Sequence, residues 1–512
     1  MRYAIFLLFF ATSIGTSEWR TDLDSLLQSG KGPVRDALLA EILSASPDWR
    51  QVASHIESLR FADMQKGIVL RTAACDDGVE RPWVLFVPAN YEPSVPTPLL
   101  VILHGGVSRK DLIEDPESWV ENNPFTAFAE ENDWLALYPL GQEGATWWDE
   151  VGMQNIRNLV RQVKTHYNVD DDRVWMAGFS DGGSAAFLHA MVAPTDYAAF
   201  VALNGHLGVG SLDGGLMTYA PNFLNTPLYA VTTDRDRLYP SHKMRPLIDM
   251  ARAAGADILY REHEGEHEFS YADEEFPLIA RFLERHARDP LPTKIVWETG
   301  EARFGECRWF AIDRVTTVTP AQWHIDYNVA FVDDAVVIGF FADDSFEGPG
   351  VKVGKIFEGT AAENCGMEPG DIIVGGGRKR IKTMEDLDDF KGDLERGEAI
   401  ELAVMREDEE IVLKGRIPEP ENYYVFKREK PSGLARVSLS ANCVDIETSR
   451  VGAFRVLVHP DLIQLEQNLV VRVNGDTLFS ERVKPDLAFL LENFLENRDR
   501  RLLYVAEVSL AL

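Results

Sequence analysis

The chain has 512 residues, room for two to four domains of ordinary size. A composition of 45% hydrophobic and 26% charged residues excludes long disorder and collagen-like structure. With 82 acidic against 51 basic residues the formal charge is −31, a field that repels phosphate backbones and anionic lipid and excludes nucleic-acid binding through a basic face.

At the amino terminus Arg2 precedes the apolar run Tyr3–Ala11 and then small residues including Ser13 and Gly15. That order predicts a signal peptide over residues 1–15 and a secreted or periplasmic protein. The run is too short to span a bilayer, and no other stretch reaches about 20 apolar residues, so no integral membrane segment is expected once the leader is removed. Four cysteines cannot build a disulfide framework; in an oxidising compartment Cys307 and Cys443 can pair, a connectivity the sequence leaves open.

Residues 18–65 form a helical segment, with Leu38, Leu39, Ile42 and Leu43 on an apolar face. Over 66–289 short apolar strands alternate with helices: Trp83–Val87, Leu99–Leu103, Trp134–Tyr138, Arg173–Ala177, Phe200–Leu203, Leu228–Val231 and Ile258–Arg261 against Val151–Tyr167, Ser184–Val192 and Glu274–Arg288. Such alternation predicts a mostly parallel sheet covered by helices on both faces. Asp289–Pro292 reads as a linker. The regions 293–333 and 418–512 are β-rich, and Asn474-Gly475 between apolar runs marks a two-residue hairpin. Together they predict an all-β sandwich-like domain interrupted by an insert over 334–417. His324 and His459, isolated in this β-rich part, are candidate ligands or, as isolated strand histidines commonly are, structural.

The strongest chemical signal is Gly178-Phe179-Ser180-Asp181-Gly182, between a predicted strand and a predicted helix. A serine on that sharp turn projects above the sheet edge, and the backbone N–H of Asp181 can face a developing oxyanion. A serine hydroxyl needs a base held by an acid, and both should follow in chain order at later strand ends. After Leu228–Val231 come Asp234 and Asp236; the Asp236-x-x-Tyr239-Pro240 tail favours Asp236, with Asp234 a turn former. After Ile258–Arg261 come His263 and His267, of which loop-borne His267 is favoured as the base. His206, after Phe200–Leu203, is assigned to the pocket or to a structural role rather than to proton transfer. Gly105 and Gly106, after Leu99–Leu103, offer the other oxyanion amides. Trp147 and Trp148 are candidates to stack on a sugar or aryl acyl group, with core packing an equal alternative. No metal-ligand cluster of useful spacing appears, and no cofactor is expected.

Leu103-His104-Gly105-Gly106, the Ser180 pentapeptide, Asp236-x-x-Tyr239-Pro240 and Gly265-Glu266-His267 together resemble the α/β-hydrolase superfamily. Arg81–Pro88, Tyr91, Pro98-Leu99 and Asn168-Val169-Asp170 make the region similar to secreted polyhydroxybutyrate depolymerase-like, feruloyl and acetylxylan esterases. The resemblance implies an ester hydrolase that forms an acyl-serine intermediate on polysaccharide-linked esters, polyesters or similar acyl substrates. A serine peptidase on the same fold, or a non-catalytic protein that recruits partners, are the competing expectations.

Residues 334–417 resemble a PDZ domain, through Ile338-Gly339-Phe340-Phe341, Gly359-Thr360-Ala361-Ala362 and Gly366-Met367-Glu368-Pro369-Gly370-Asp371-Ile372-Ile373. The resemblance implies that a peptide or protein C-terminus is captured at Ile338, Gly339, Phe340 and Phe341, beside the helix Thr383–Phe390. Asp343 and Asp344 stand close by and oppose an incoming carboxylate.

Overall fold

The computed structural model describes residues 15–110, 113–333, 336–343 and 345–512. The expected leader therefore lies outside the described residues except for Gly15, which opens the first helix. The chain divides into two compact units, one running to Val329 and resuming over Val425–Leu512, the other Ala330–Tyr424.

The larger unit is built on eight strands: β1 (Gly67–Ala74), β2 (Glu80–Val87), β3 (Thr97–Leu103), β4 (Leu135–Tyr138), β5 (Val169–Phe179), β6 (Ala199–Leu203), β7 (Leu228–Thr233) and β8 (Ile258–His263). Their order in the sheet is β1-β2-β4-β3-β5-β6-β7-β8. The first two pairings, β1 with β2 and β2 with β4, are antiparallel, and every later one is parallel. All residues of β4 and β6 and nearly all of β3 are buried, which explains their unbroken apolar runs. Edge strand β1 was not among the predicted strands, because only Val69 within it is deeply buried and the rest lacks a continuous apolar signal. The carboxyl ends of β3, β5, β6, β7 and β8 share one rim, where an α/β sheet binds its ligand.

The β-rich part holds a five-stranded sheet, in the order Asp476–Glu481, Leu469–Val473, Cys443–Ser449, Gly433–Ser440 and Lys294–Thr299. A four-stranded sheet comprises Glu306–Cys307, Phe310–Val315, Val451–Val458 and Ala506–Ala511. The two share one core, around Trp297, Trp309, Phe310, Phe454 and Val471. The expected hairpin is present, with Asn474 and Gly475 at φ 51° and 95° between paired Val473 and Asp476. The part is not all-β, however. Helix Leu487–Asn497 adds Leu490, Leu491 and Phe494 to the core. The amino-terminal helices Gly15–Gln28, Pro33–Ala45 and Trp49–Glu57 add Trp19, Leu23, Ile42, Val52 and Ile56. Their apolar faces are thus spent on this core.

A buried ionic cluster ties the carboxy-terminal stretch to the α/β part. The Asp499 carboxylate receives Lys164 Nζ at 3.0 Å and Arg288 at 2.7 Å, all three fully buried. Burial works against ionised Asp499, but the two cations prevail and hold its carboxyl far below the usual carboxylate range. All four cysteines are free, so Cys307 and Cys443 do not pair; Cys307 is sealed in the shared core while Cys443 lies half-exposed on a strand. Among the described residues no helix is long and apolar enough to cross a membrane.

The smaller unit carries strands Phe340–Ala342, Val351–Ile356, Ile372–Gly376, Ala399–Arg406 and Glu409–Arg416 in spatial order, with Lys379–Arg380 pairing against Ile372–Gly376. Helix Met384–Lys391 opens on a capping box between Thr383 and Asp386 and buries Leu387 and Phe390. Of the four residues expected to contact a peptide, Ile338 does not present its side chain: it is a core residue, and its carbonyl accepts from Ala362 N–H at 2.7 Å. Gly339 takes φ +98°, and a Cβ there would stand 2.1 Å from that of Thr360. Phe340 and Phe341 pair with Ile356 and Lys355 at the end of the sheet. Asp343 is ion-paired to Lys352 at 2.8 Å, and the bonds from Lys352 and Ser345 lower its carboxyl to about 2. Its charge is thus opposed by a cation; Asp344 lies outside the described residues.

Candidate active site

Ser180 sits between β5 and helix Asp181–Val192 at φ 59°, ψ −120°, the strained turn that lifts a side chain off a sheet edge. The turn survives because its neighbours are glycines. A Cβ on Gly182 would stand 1.8 Å from the Leu103 carbonyl oxygen, so β3 and the helix can touch only without one. A Cβ on Gly105 would stand 2.8 Å from Ser180 Cβ, which puts the turn after β3 directly against the nucleophile position.

The structure brings three of the predicted residues together. His267 Nε2 lies 2.8 Å from Ser180 Oγ, and His267 Nδ1 lies 2.8 Å from Asp236 Oδ2. The bonding assigns the proton to Nδ1, leaving Nε2 to accept from the serine hydroxyl. Asp236 is buried, and its Oδ1 accepts the N–H groups of Leu238 and Tyr239 at 2.9 and 2.8 Å. Burial pushes its carboxyl pKa up, but the bonds from His267, Tyr239 N–H and Asn204 outweigh that and keep it below the ordinary value. The imidazole is flanked by Phe179, at 5.1 Å between centroids, and edge-on by Tyr239 at 5.6 Å.

The alternatives fall elsewhere. Asp234 Oδ1 accepts Gly265 N–H at 2.9 Å and orders the loop that carries His267. His263 Nε2 faces Glu275 at 2.6 Å, and Arg261 Nε reaches the same oxygen at 2.5 Å. His263, Glu274 and Glu275 have metal-ligating atoms in mutual reach, yet Arg261 bonds to both carboxylates and fills the role a cation would play.

Three candidate substrate contacts lie in the interior. Trp147 is 1% exposed, donates its indole N–H to the His104 carbonyl at 2.8 Å, and packs edge-on against that ring. Trp148 is likewise buried. Trp147 supports the turn that carries Gly105 and Gly106 through its contacts with His104, and burial of its indole is favourable in itself. His206 is buried too; its Nδ1 accepts Gly208 N–H at 2.9 Å, and burial pushes its imidazole down to about 4.

Two contributors were not foreseen. Asn204, at the end of β6 with φ 43°, donates from Nδ2 to Asp236 Oδ2 at 2.9 Å and to Thr233 Oγ1 at 2.6 Å. Tyr271 O–H donates in turn to Asn204 Oδ1. The available signal was Asn-Gly at a strand end, since asparagine tolerates positive φ where other residues do not. The second is the Asp181 carboxylate, which accepts from Val107 N–H at 2.9 Å and from the Tyr239 hydroxyl at 3.0 Å.

No protein-family model matches the chain. A bifunctional acetylxylan esterase/xylanase from Neocallimastix patriciarum is 31% identical over 119 residues, 23% of this chain and 16% of that protein. The chain thus spans about a sixth of the length of that curated relative. Among solved structures, a ferulic acid esterase aligns at 14% identity and TM-score 0.36, covering 43% of this chain and 99% of its own. A fluorophosphonate-binding serine hydrolase of Staphylococcus aureus aligns at 15% identity and TM-score 0.35 with the same coverages.

Proposed function

We propose that this protein is a serine carboxylic-ester hydrolase of the α/β-hydrolase type. The observation that carries the reading is the continuous relay Ser180–His267–Asp236, each contact 2.8 Å, on the carboxyl rim of the parallel sheet. His267 Nε2 takes the hydroxyl proton as Ser180 Oγ attacks the ester carbonyl. The oxyanion faces the backbone N–H of Asp181 and those of Gly105 and Gly106. His267 gives the proton to the departing alcohol; it then takes one from water as the water oxygen attacks the acyl carbon, and passes it to Ser180 Oγ as the acyl–Oγ bond breaks and the acid leaves. Asp236 stays ionised throughout and stabilises the imidazolium.

The substrate class we propose is a neutral acyl ester, polysaccharide-linked or polyester, and an exported setting goes with it. The local similarity to an acetylxylan esterase and the charge of −31, which disfavours anionic substrates, support this. The unit Ala330–Tyr424 we read as PDZ-like. Phe340–Ala342 ends its sheet order, which suits addition of a peptide strand. The test is p-nitrophenyl acetate hydrolysis. Ser180→Ala lowers kcat by at least about 10³-fold with an unchanged melting temperature; turnover retained by that variant removes the assignment.

A further inference from the structure

We propose that the Asp181 side chain is a positioning group for the oxyanion turn. The proposal rests on the ester-hydrolase reading and concerns atoms that reading does not use. Acyl transfer requires only the backbone N–H of the residue after the nucleophile, and an alanine would supply it. Here that residue is an aspartate whose two carboxylate oxygens reach two separate loops. Oδ2 accepts the N–H of Val107 at 2.9 Å, and Oδ1 accepts the hydroxyl of Tyr239 at 3.0 Å.

Both partners are tied to the chemistry. Val107 follows Gly105 and Gly106, and it is fully buried, so its N–H has no water to replace a lost acceptor. Gly106 takes φ +64° and Gly105 has no Cβ, so the turn has few side-chain contacts of its own to fix its shape. Tyr239 is bonded through its N–H to Asp236 and lies edge-on to His267. One carboxylate therefore joins the oxyanion turn, the nucleophile turn and the acid loop. Its negative charge is accommodated in the first turn of helix Asp181–Val192, where the helix dipole favours an anion. Engagement of both oxygens by donors disperses that charge beside a site where a second one develops.

The consequence concerns the transition state more than the substrate. Oxyanion stabilisation depends on donor placement: loss of one donor costs about 10²–10³ in rate, and a misplacement of about 1 Å about 10². The experiment compares Asp181→Ala, Asp181→Asn and Tyr239→Phe with wild type, measuring kcat and KM on p-nitrophenyl acetate and the inhibition constant of a trifluoromethyl ketone, which forms a tetrahedral adduct. Asp181→Ala is expected to lower kcat by about 10- to 100-fold with KM within about threefold, and to weaken the ketone by a matching factor. Asp181→Asn restores most of both, since its amide oxygen still accepts from Val107, and Tyr239→Phe falls between.

Wild-type kcat in Asp181→Ala overturns the proposal. So does a fall in kcat without a matching loss of ketone affinity, or an Asp181→Asn variant as impaired as the alanine. Should Asp181→Ala not fold, Tyr239→Phe decides: a fall of about threefold or more in kcat, matched by the ketone, supports the role, and no change overturns it. A wild-type enzyme without Ser180-dependent hydrolysis takes down the ester-hydrolase reading and this proposal together; where that hydrolysis is present, the outcomes above bear on this proposal alone.

Discussion

Asn204 Nδ2 and His267 Nδ1 meet the same oxygen of Asp236, at 2.9 and 2.8 Å. The shared oxygen means that the base is aimed by a carboxylate which is itself aimed by a buried amide. Thr233 and Tyr271 hold that amide in turn. Asp236 thus has donors on both oxygens and cannot rotate without breaking several bonds at once.

Asn204→Ala removes one donor to Asp236 and leaves the buried Thr233 and Tyr271 hydroxyls short of a partner. We expect kcat on a p-nitrophenyl ester to fall by about 10-fold or more, and stability in urea to fall by about 1–3 kcal/mol. Asn204→Asp fares worse in kcat, because a second carboxylate faces Asp236. Steady-state kinetics with a urea titration checks both.

Glu298 gives a pH prediction away from the active site. Its buried carboxylate accepts from His324 at 3.0 Å, Ser432 at 2.5 Å and both arms of Arg428. Burial raises its pKa, but the bonds and charges of His324 and Arg428 outweigh burial and hold it below the ordinary value. A depressed folded pKa contributes stability that is complete above the unfolded value, about 4.3, and is lost as pH falls through the folded one. Glu298→Gln should therefore destabilise the protein by about 3–5 kcal/mol at pH 7. The gap to wild type should close as pH drops below about 4, in urea titrations run across that range.

The cysteines make a separate test. Burial pushes the Cys307 thiol up to about 12. Native protein should react with a disulfide reagent at Cys365 and Cys443, both half-exposed, before Cys75 or Cys307, and should yield four thiols once unfolded. Peptide mapping after timed labelling checks the order; a count of two on unfolding would indicate a bridge.

The strands most legible in the sequence were those buried on both faces. Leu99–Leu103 and Phe200–Leu203 read as unbroken apolar runs because no residue in them meets water. Ser180 and Asp236 were legible for a related reason, since each follows a buried apolar strand; His267 follows the partly exposed edge strand β8 and was legible from its glycine-bearing loop instead. Trp147 and Trp148 stayed ambiguous because an indole between polar residues looks the same in sequence whether it faces a ligand or the interior, where both lie. Asn204 stayed hidden because nothing local marks an amide whose partners lie 29 and 32 residues away. The destination of the amino-terminal helices was equally hidden: their amphipathic pattern shows that a face is buried, not that Trp297 and Trp309 lie across it.

If Ser180 is an activated nucleophile, a fluorophosphonate probe labels it covalently. Folded protein is expected to be modified stoichiometrically, at a position mapped by mass spectrometry to Ser180, with labelling abolished in Ser180→Ala and slowed by at least about 10²-fold in His267→Ala. A folded wild-type protein that takes no label, or takes it at another residue, would contradict that role for Ser180.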